Sequence, residues 1–195
     1  MASIFVRRGI TEGKELFYYL ENDIHFEHNP FMFSQMEDAV DRILAAKEEG
    51  EKVLVFGDRD VDGITSTAIL YEYLKKMGLD VSWRLPTGDE AYGLTLDVVE
   101  NFAKENGTLI ITVDCGISCV AEVERANSLG IDVIVTDHHN PPETVPDAVC
   151  ILDAKMEDET YPFKEISGAV AGETSSTSTR FLITNLISPH LHYLP

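Results

Sequence analysis

The 195-residue sequence predicts an α/β fold: a mainly parallel sheet with helices on both faces, preceded by a short helical lead-in. Short runs rich in Val and Ile recur from Lys52 onward, and segments with helical periodicity separate them. Strands that are buried on both faces have this near-continuous apolar character, and their alternation with helices favours parallel pairing.

The lead-in, residues 1–50, contains two segments that predict short helices, at residues 11–20 (TEGKELFYYL) and 34–48 (SQMEDAVDRILAAKE). The second segment has an apolar stripe along one side. Ser34 is its expected N-cap, because a serine hydroxyl can accept a hydrogen bond from a free backbone N–H of the first turn.

The α/β domain is expected over residues 51–169. Its predicted strands are KVLVF, DVSWRL, TLIITV, DVIVT and AVCILDA, and the helical segments between them are ITSTAILYEYLKKM, LTLDVVENFAKE and SCVAEVERANSLG. The polar sequences GDRDVDG, DCG and DHHN follow three of these strands. Each lies at the carboxyl end of a strand, where open α/β sheets bind their ligands.

The last segment, residues 170–195, has a different composition. Glu173 is its only acidic residue, and TSSTST is a low-complexity polar run. We expect this tail to diverge from the native core. The break in composition also predicts a truncated or frame-shifted form of a longer reading frame, with reduced or no activity.

Composition and charge exclude several classes of protein. Asp and Glu total 34 against 15 Lys and Arg, a formal charge of −19, which argues against binding nucleic acid through a broad basic surface. No apolar run approaches the ~20 residues of a membrane span, so no membrane association is expected. The three cysteines lie in or beside apolar runs and lack CxxC spacing. Buried thiols in a reducing cytoplasm are favoured over a zinc site.

Three aspartates alternate with other residues directly after the first strand and precede a glycine: Asp58, Asp60, Asp62 and Gly63. Calcium-binding EF-hand loops have a similar spacing, but they need a helix before the loop and a glutamate at the twelfth position, where this chain has Ile69. The remaining interpretation is a carboxylate cluster at a strand-to-helix turn. Gly63 would allow the tight backbone there, and Thr65 or Ser66 would cap the helix.

Solvated surface aspartates would explain the first cluster alone, because acidic loops are common. Two further strand ends also carry polar groups, Asp114 after TLIITV and Asp137, His138 and His139 after DVIVT. Carboxylates and imidazoles together suit Mn²⁺, with Mg²⁺ as the alternative. Such a set can hold two ions ~3.5–4 Å apart, an arrangement used to hydrolyse phosphate esters.

These motifs resemble those of the DHH phosphoesterase superfamily. GDRDVDGITS is similar to its first motif, VDCGI to its second and TDHH to its third, in the same order and each at a strand end. Upstream, RRGITEGKELFYYL, HNPFMF and MEDAVDRIL resemble the lead-in of the single-strand-specific DNA exonucleases of this superfamily. The similarity extends over roughly residues 5–169.

The resemblance implies a role for each matched residue. Asp60 and Asp114 would bind one metal ion, and Asp62, Asp114 and His138 would bind the other, so that Asp114 bridges the two. His139 would contact the scissile phosphate, and Asp137 would support both histidines. Asp58 is an accessory candidate.

The chain also departs from the family pattern. Phe56 stands where some members carry a histidine, and LPTGDEAYGL lacks an arginine that is often found there. The family's last metal-binding aspartate has no match in the tail, so the second metal site is expected to be incomplete. The DHH-associated and nucleic-acid-binding domains are not matched either.

The resemblance implies a Mn²⁺- or Mg²⁺-dependent phosphodiesterase that degrades single-stranded DNA from 5′ to 3′ in repair and recombination. Single-stranded DNA is therefore the expected partner, and the sequence identifies no protein partner. Two alternatives remain open. One is a hydrolase of short oligonucleotides or cyclic dinucleotides, and the other is a non-catalytic scaffold that keeps the fold. The intact aspartates argue against the scaffold, because they favour ion binding.

Overall fold

Five apolar segments form one sheet in the computed structural model, which describes residues 2–20, 28–164 and 166. They are β1 (Lys52–Gly57), β2 (Asp80–Arg84), β3 (Gly107–Val113), β4 (Asp132–Thr136) and β5 (Cys150–Leu152). The strand order is β2-β1-β3-β4-β5, and every neighbouring pair is parallel. The predicted α/β class is confirmed.

Helices lie in the lead-in and in most of the connections between strands. They are α1 (Ala2–Arg7), α2 (Gly13–Leu20), α3 (Met36–Glu49), α4 (Val61–Lys76), α5 (Leu96–Lys104) and α6 (Val120–Ser128), with a 3₁₀ turn at Pro30–Met32. Among the described residues, none of these helices combines the length and the apolar character needed to cross a membrane.

The sheet has a hydrophobic core on each face, because successive side chains of a strand point in opposite directions. Val53 and Val55 of β1 pack in the core that contains the buried sides of α3 and α4. Leu54 and Phe56 of the same strand pack in the core that contains α5 and α6. The predicted covering of both faces by helices is therefore confirmed.

The predicted N-cap of α3 is wrong. The helix begins at Met36, and the residue before it, Gln35, makes no side-chain cap. Ser34 instead donates its backbone N–H to the Glu159 carboxylate at 3.2 Å and its hydroxyl at 2.9 Å. A partner 125 positions away in the chain has displaced the local cap, and it ties the start of α3 to the segment after β5.

The predicted capping of α4 by Thr65 or Ser66 is also wrong. Asp60 is the N-cap, and its carboxylate accepts a hydrogen bond from Gly63 N–H at 3.0 Å. Thr65 and Ser66 lie inside the helix, where their hydroxyls donate to carbonyls of the preceding turn. An aspartate three residues before the free N–H is simply better placed to reach it.

The three cysteines are free and buried, as the sequence analysis predicts. Burial raises the pKa of Cys119 and of Cys150 to about 11, and it raises the pKa of Cys115 well above the ordinary value of a thiol. These thiols are therefore in their neutral form near neutral pH.

The predicted tail, residues 170–195, lies outside the described residues.

Gly63 allows α4 to begin against the loop of residues 58–60 that precedes it. A Cβ atom at this position would lie 2.5 to 2.7 Å from the backbone of Asp58. We expect Gly63→Ala to lower the free energy of unfolding by about 1–3 kcal/mol, because the backbone must shift to relieve the overlap. The midpoint of urea unfolding measures this change. Gly13→Ala is the matched control, since nothing lies within 4 Å of an added Cβ there. Equal midpoints for the two variants would contradict the prediction.

Candidate metal centre

The ends of three neighbouring strands meet at one edge of the sheet. Gly57 of β1 is in register with Val113 of β3, and Val113 is in register with Thr136 of β4. The next residue along each strand is an aspartate: Asp58, Asp114 and Asp137. Parallel pairing in this register therefore brings the acidic residues of three distant motifs side by side.

The loop after β1 supplies the first carboxylates. Asp60 caps α4, and the hydrogen bond from Gly63 N–H holds the pKa of its carboxyl below the ordinary value. Asp62 lies in the first turn of the same helix. Asp58 is only 6% exposed, and its Oδ1 has no hydrogen-bond partner among the described residues. A buried, unpaired carboxylate oxygen is a position where a bound cation is expected.

Asp114 lies at the centre of the site, after β3. Its backbone adopts the left-handed conformation, with φ 60°, and its N–H donates to the carbonyl of Thr136 at 3.0 Å. The side chain is 1% exposed, and burial raises the pKa of its carboxyl, with a smaller contribution from the nearby Asp62. A carboxylate held here gains strongly from a cation that replaces its lost hydration.

Asp137, which follows β4, organises the two histidines. Its Oδ1 accepts hydrogen bonds from the backbone N–H groups of His138 at 2.7 Å and His139 at 3.1 Å. The same oxygen lies 2.7 Å from Nδ1 of the His139 ring. Its Oδ2 accepts from the N–H of Ile117 at 2.9 Å. Asp137 is thus fully occupied by its neighbours, and it fixes the direction of the His139 ring.

The His138 ring faces the carboxylates of the other two strand ends. Its Nε2 lies 2.9 Å from Oδ1 of Asp114 and 3.6 Å from Oδ2 of Asp62. The bond to Asp114 is the largest of the effects that raise the pKa of His138 above its ordinary value. In the absence of a metal ion, this position therefore favours a proton.

Two groups of side chains could each hold a metal ion, and they share one member. Oxygens of Asp58, Asp60 and Asp114 lie within 4.8 Å of one another. So do ligand atoms of Asp114, His138 and His139. Every site residue expected from the sequence therefore lies at this edge of the sheet, and the mixed oxygen and nitrogen donors suit a divalent ion such as Mn²⁺.

Tyr92 also belongs to the site, although the sequence analysis assigned it no role. Its hydroxyl donates to the backbone carbonyl of Asp114 at 3.3 Å and lies 3.4 Å from Nδ1 of His139. Burial raises the pKa of the phenol, and the nearby acidic groups, with Asp137 the largest contributor among them, add to this. The phenol therefore stays neutral. The segment LPTGDEAYGL has a family likeness, but sequence alone gave no sign that it folds over the site.

Asp153 is a second residue that the sequence analysis missed. It follows β5 as Asp137 follows β4, and it is fully buried. Its Oδ1 accepts from the N–H of Lys155 at 2.8 Å, whereas Oδ2 has no hydrogen-bond partner among the described residues. Burial raises the pKa of this carboxyl. The only signal in the sequence was a single aspartate at the end of AVCILDA, without a neighbouring motif.

A cavity of about 410 Å³ opens beside the histidines. Tyr92 and His139 line it together with Leu94, Ile117 and Glu122. The carboxylates and a mostly uncharged cavity thus lie next to each other, so one molecule could reach both.

Comparison with known proteins finds a consistent set of relatives. A family model described as the DHH family, N-terminal domain, matches residues 52–193. The single-stranded-DNA-specific exonuclease RecJ of Bacillus subtilis is 37% identical over 169 residues, which are 86% of this chain and 22% of that protein. RecJ of Escherichia coli is 36% identical over 167 residues, 85% of this chain and 28% of that protein. The chain thus spans about a quarter of the length of these relatives.

Solved structures show the same fold. RecJ from Thermus thermophilus in complex with Mn²⁺ has a TM-score of 0.61 at 30% sequence identity. The superposed part is 79% of this chain and 21% of the RecJ chain. A structure of exonuclease RecJ bound to manganese has a TM-score of 0.65 at 30% identity, with coverage of 79% and 37%.

Protons and metal ions should compete for His138. A histidine ligates a metal in its neutral form, and the pKa of His138 is raised above its ordinary value of 6.5. The protonated ring stabilises the metal-free fold below pH 6.5, and this stabilisation is lost as the pH rises through the raised pKa. We therefore expect the Mn²⁺ affinity to fall about tenfold per pH unit once the pH drops below that raised pKa. Calorimetric titration between about pH 6 and pH 8 measures it.

His138→Asn serves as the control for this experiment, because it removes the titrating ring and keeps a neutral polar side chain. The Mn²⁺ affinity of this variant should be lower and nearly independent of pH over the same range. A parent protein whose affinity is flat with pH would show that His138 does not bind the ion.

Proposed function

The chain belongs to the DHH family, and on this premise we propose that it forms the metal-binding part of a RecJ-type phosphodiesterase that hydrolyses single-stranded DNA from its 5′ end. The observation that carries the proposal is the position of Asp114. Its carboxylate lies within 4.8 Å of the oxygens of Asp58 and Asp60 and 2.9 Å from Nε2 of His138, so it could bridge two ions. Two bridged ions are an arrangement that hydrolyses phosphate esters.

We assign the ligands as the family resemblance implies, and the distances between them are compatible with this assignment. Asp60 and Asp114 would hold one ion, with Asp58 as an additional oxygen ligand, since the three carboxylates lie within 4.8 Å. Asp62, Asp114 and His138 would hold the other. When bound, two Mn²⁺ or Mg²⁺ ions would supply the positive charge that activates a water molecule and neutralises the phosphate.

His139 is placed to act on the substrate. Its Nδ1 is directed to Asp137, and its side chain is 48% exposed, whereas that of Asp137 is 1% exposed. The Nε2 side of the ring is therefore the side that can face a phosphate oxygen. Asp137 keeps the ring in one orientation, so that a hydrogen bond to the phosphate needs no further ordering.

The acidic composition shapes how DNA would bind. A formal charge of −19 repels a polyphosphate backbone everywhere except where bound ions offset it. The terminal phosphate would thus be drawn to the metal centre, and the nucleotide would extend into the cavity lined by Tyr92.

We further propose a cytoplasmic location, which the free, buried thiols support.

Cleavage of end-labelled DNA tests the function. Mn²⁺-dependent release of mononucleotides from 5′-labelled single strands, with duplex DNA left intact, would support it. Faster hydrolysis of dinucleotides than of long strands would point instead to a small-substrate phosphodiesterase. Binding of Mn²⁺ without any hydrolysis would favour the non-catalytic scaffold.

Asp114→Ala should weaken both metal sites together, because it removes the carboxylate that the two groups share. Asp60→Ala should weaken chiefly one site. Calorimetry with Mn²⁺ should therefore show two ions for the parent, the second bound more weakly because its site is incomplete, one for Asp60→Ala and none of comparable affinity for Asp114→Ala. Asp80→Ala is a control at an exposed position in β2. Two tightly bound ions in Asp114→Ala would refute the bridging role.

His139→Ala should separate binding from catalysis. We expect Mn²⁺ affinity to stay within about threefold of the parent and the cleavage rate to fall by about 10²–10³, because the variant loses one hydrogen-bond donor to the phosphate. Steady-state cleavage at saturating Mn²⁺ measures the rate, and calorimetry measures the affinity. A large loss of metal affinity would instead make His139 a ligand.

A further inference from the structure

Arg59 lies between Asp58 and Asp60 in the metal-binding loop, but its side chain contacts a different part of the chain. Its Nη1 donates to the carbonyl of Gly88 at 3.0 Å, and its Nη2 donates to the carbonyl of Glu90 at 2.6 Å. Both carbonyls belong to residues 85–93, which connect β2 towards α5 and which we call the 85–93 loop. One guanidinium group thus binds two backbone carbonyls of this loop.

The 85–93 loop is closed by its own acidic residue. The Glu90 carboxylate accepts from the N–H of Thr87 at 2.6 Å and from the Thr87 hydroxyl at 3.2 Å. It also pairs with Arg84, at the end of β2. In return, the N–H of Glu90 donates to the carbonyl of Thr87 at 3.2 Å. The segment is therefore a turn held by its own hydrogen bonds, and it is attached to the loop after β1 by Arg59 and to the end of β2 by Arg84.

The far side of this loop carries Tyr92 to the metal centre. The hydroxyl of Tyr92 reaches the carbonyl of Asp114 and lies 3.4 Å from the His139 ring nitrogen. The rings of Tyr92 and His139 meet edge to face, with centroids 6.0 Å apart. The 85–93 loop thus extends from the end of β1 to the ends of β3 and β4, and its Tyr92 lines the cavity.

We propose that Arg59 is a positioning residue that couples the order of the metal-binding loop to the position of Tyr92. Because Asp58 and Asp60 flank it in the chain, an ion that fixes those carboxylates also fixes the backbone from which the guanidinium extends. The two bonds to the 85–93 loop then transmit this order to Tyr92. The proposal rests on the proposed function in one respect, namely that a metal ion binds to these aspartates.

The chemistry of the side chain explains why an arginine serves here. A guanidinium presents several N–H donors in a rigid plane, so it can hold two carbonyls at once in a fixed geometry. A lysine ammonium would reach one of the carbonyls with a flexible stem and would leave the other without this partner. Arg59→Lys should therefore retain the charge and lose most of the positioning.

Hydrogen exchange tests the coupling without requiring activity. The amides of Thr87 and Glu90 are hydrogen-bonded inside the 85–93 loop, so they report its opening. In the metal-free protein we expect Arg59→Ala to speed their exchange by about tenfold or more, as loss of roughly one charge-assisted hydrogen bond implies. Adding Mn²⁺ to the parent protein should slow the exchange of these two amides below its metal-free rate. In Arg59→Ala or Arg59→Lys, Mn²⁺ should slow it much less.

The two hydrogen bonds from Arg59 to the 85–93 loop are called the clamp below. Control variants separate loss of the clamp from general damage to the fold. Arg125→Ala removes an arginine of similar exposure whose partner is Glu100 on α5, and it should leave exchange in the 85–93 loop unchanged. Exchange in β3 should be the same in all variants if the fold is intact. A kinetic readout complements this, since Arg59→Ala should raise KM for single-stranded DNA by about tenfold when Mn²⁺ is saturating.

The outcomes distinguish this proposal from the proposed function. A parent protein that binds no Mn²⁺ in calorimetry contradicts the function, whereas the metal-free comparison of parent and Arg59→Ala still tests the clamp. Equal exchange of Thr87 and Glu90 in these two proteins would overturn the clamp, even if DNA cleavage were normal. A Mn²⁺ effect of the same size in parent and Arg59→Ala would overturn the coupling.

Discussion

Parallel pairing of β1, β3 and β4 in adjacent positions is the constraint on which the rest of the site depends. Because the three strands run in the same direction and in register, their carboxyl ends coincide, and the residue after each one is an aspartate. Asp58, Asp114 and Asp137 are far apart in the chain, and only this register brings them together. A shift of one residue in any pair would turn one of these aspartates away from the others. The apolar packing on both faces of the sheet, which fixes the register, is therefore also what fixes the chemistry.

Much of this arrangement could be predicted from the sequence, because it follows from local patterns. The apolar runs marked all the strands, the helical periods marked α4, α5 and α6, and the position of each acidic motif after a strand marked the edge where a ligand would bind. The order of the strands along the sheet was not predicted, since alternation alone does not say which strands are neighbours. Caps were the weakest predictions. Ser34 was predicted to cap α3, but it binds the distant carboxylate of Glu159 instead. Thr65 or Ser66 was predicted to cap α4, but Asp60 lies nearer to the free N–H and caps the helix.

The features that sequence reasoning missed depend on contacts between distant segments. Arg59 follows no local rule, because its partners are backbone carbonyls of a loop about 30 positions away. Tyr92 acquires its contacts from the fold of that loop, and Asp153 acquires its place next to Asp137 from the position of β5 beside β4. Asp137 was expected to support the histidines from a family likeness, and the geometry now supplies a physical reason, since its Oδ1 alone meets three nitrogen atoms. Networks of this kind come into existence only when the sheet is complete.

The left-handed backbone of Asp114 has a consequence for evolution and for protein engineering. An aspartate with φ 60° is less stable there than a glycine would be, and its buried carboxylate adds a further cost in a protein without bound ions. Selection for stability alone would therefore tend to replace this residue, and selection for activity would retain it. Redesign methods that score only the metal-free polypeptide should likewise favour glycine or asparagine at this position, and they would remove the centre of the site while improving the fold.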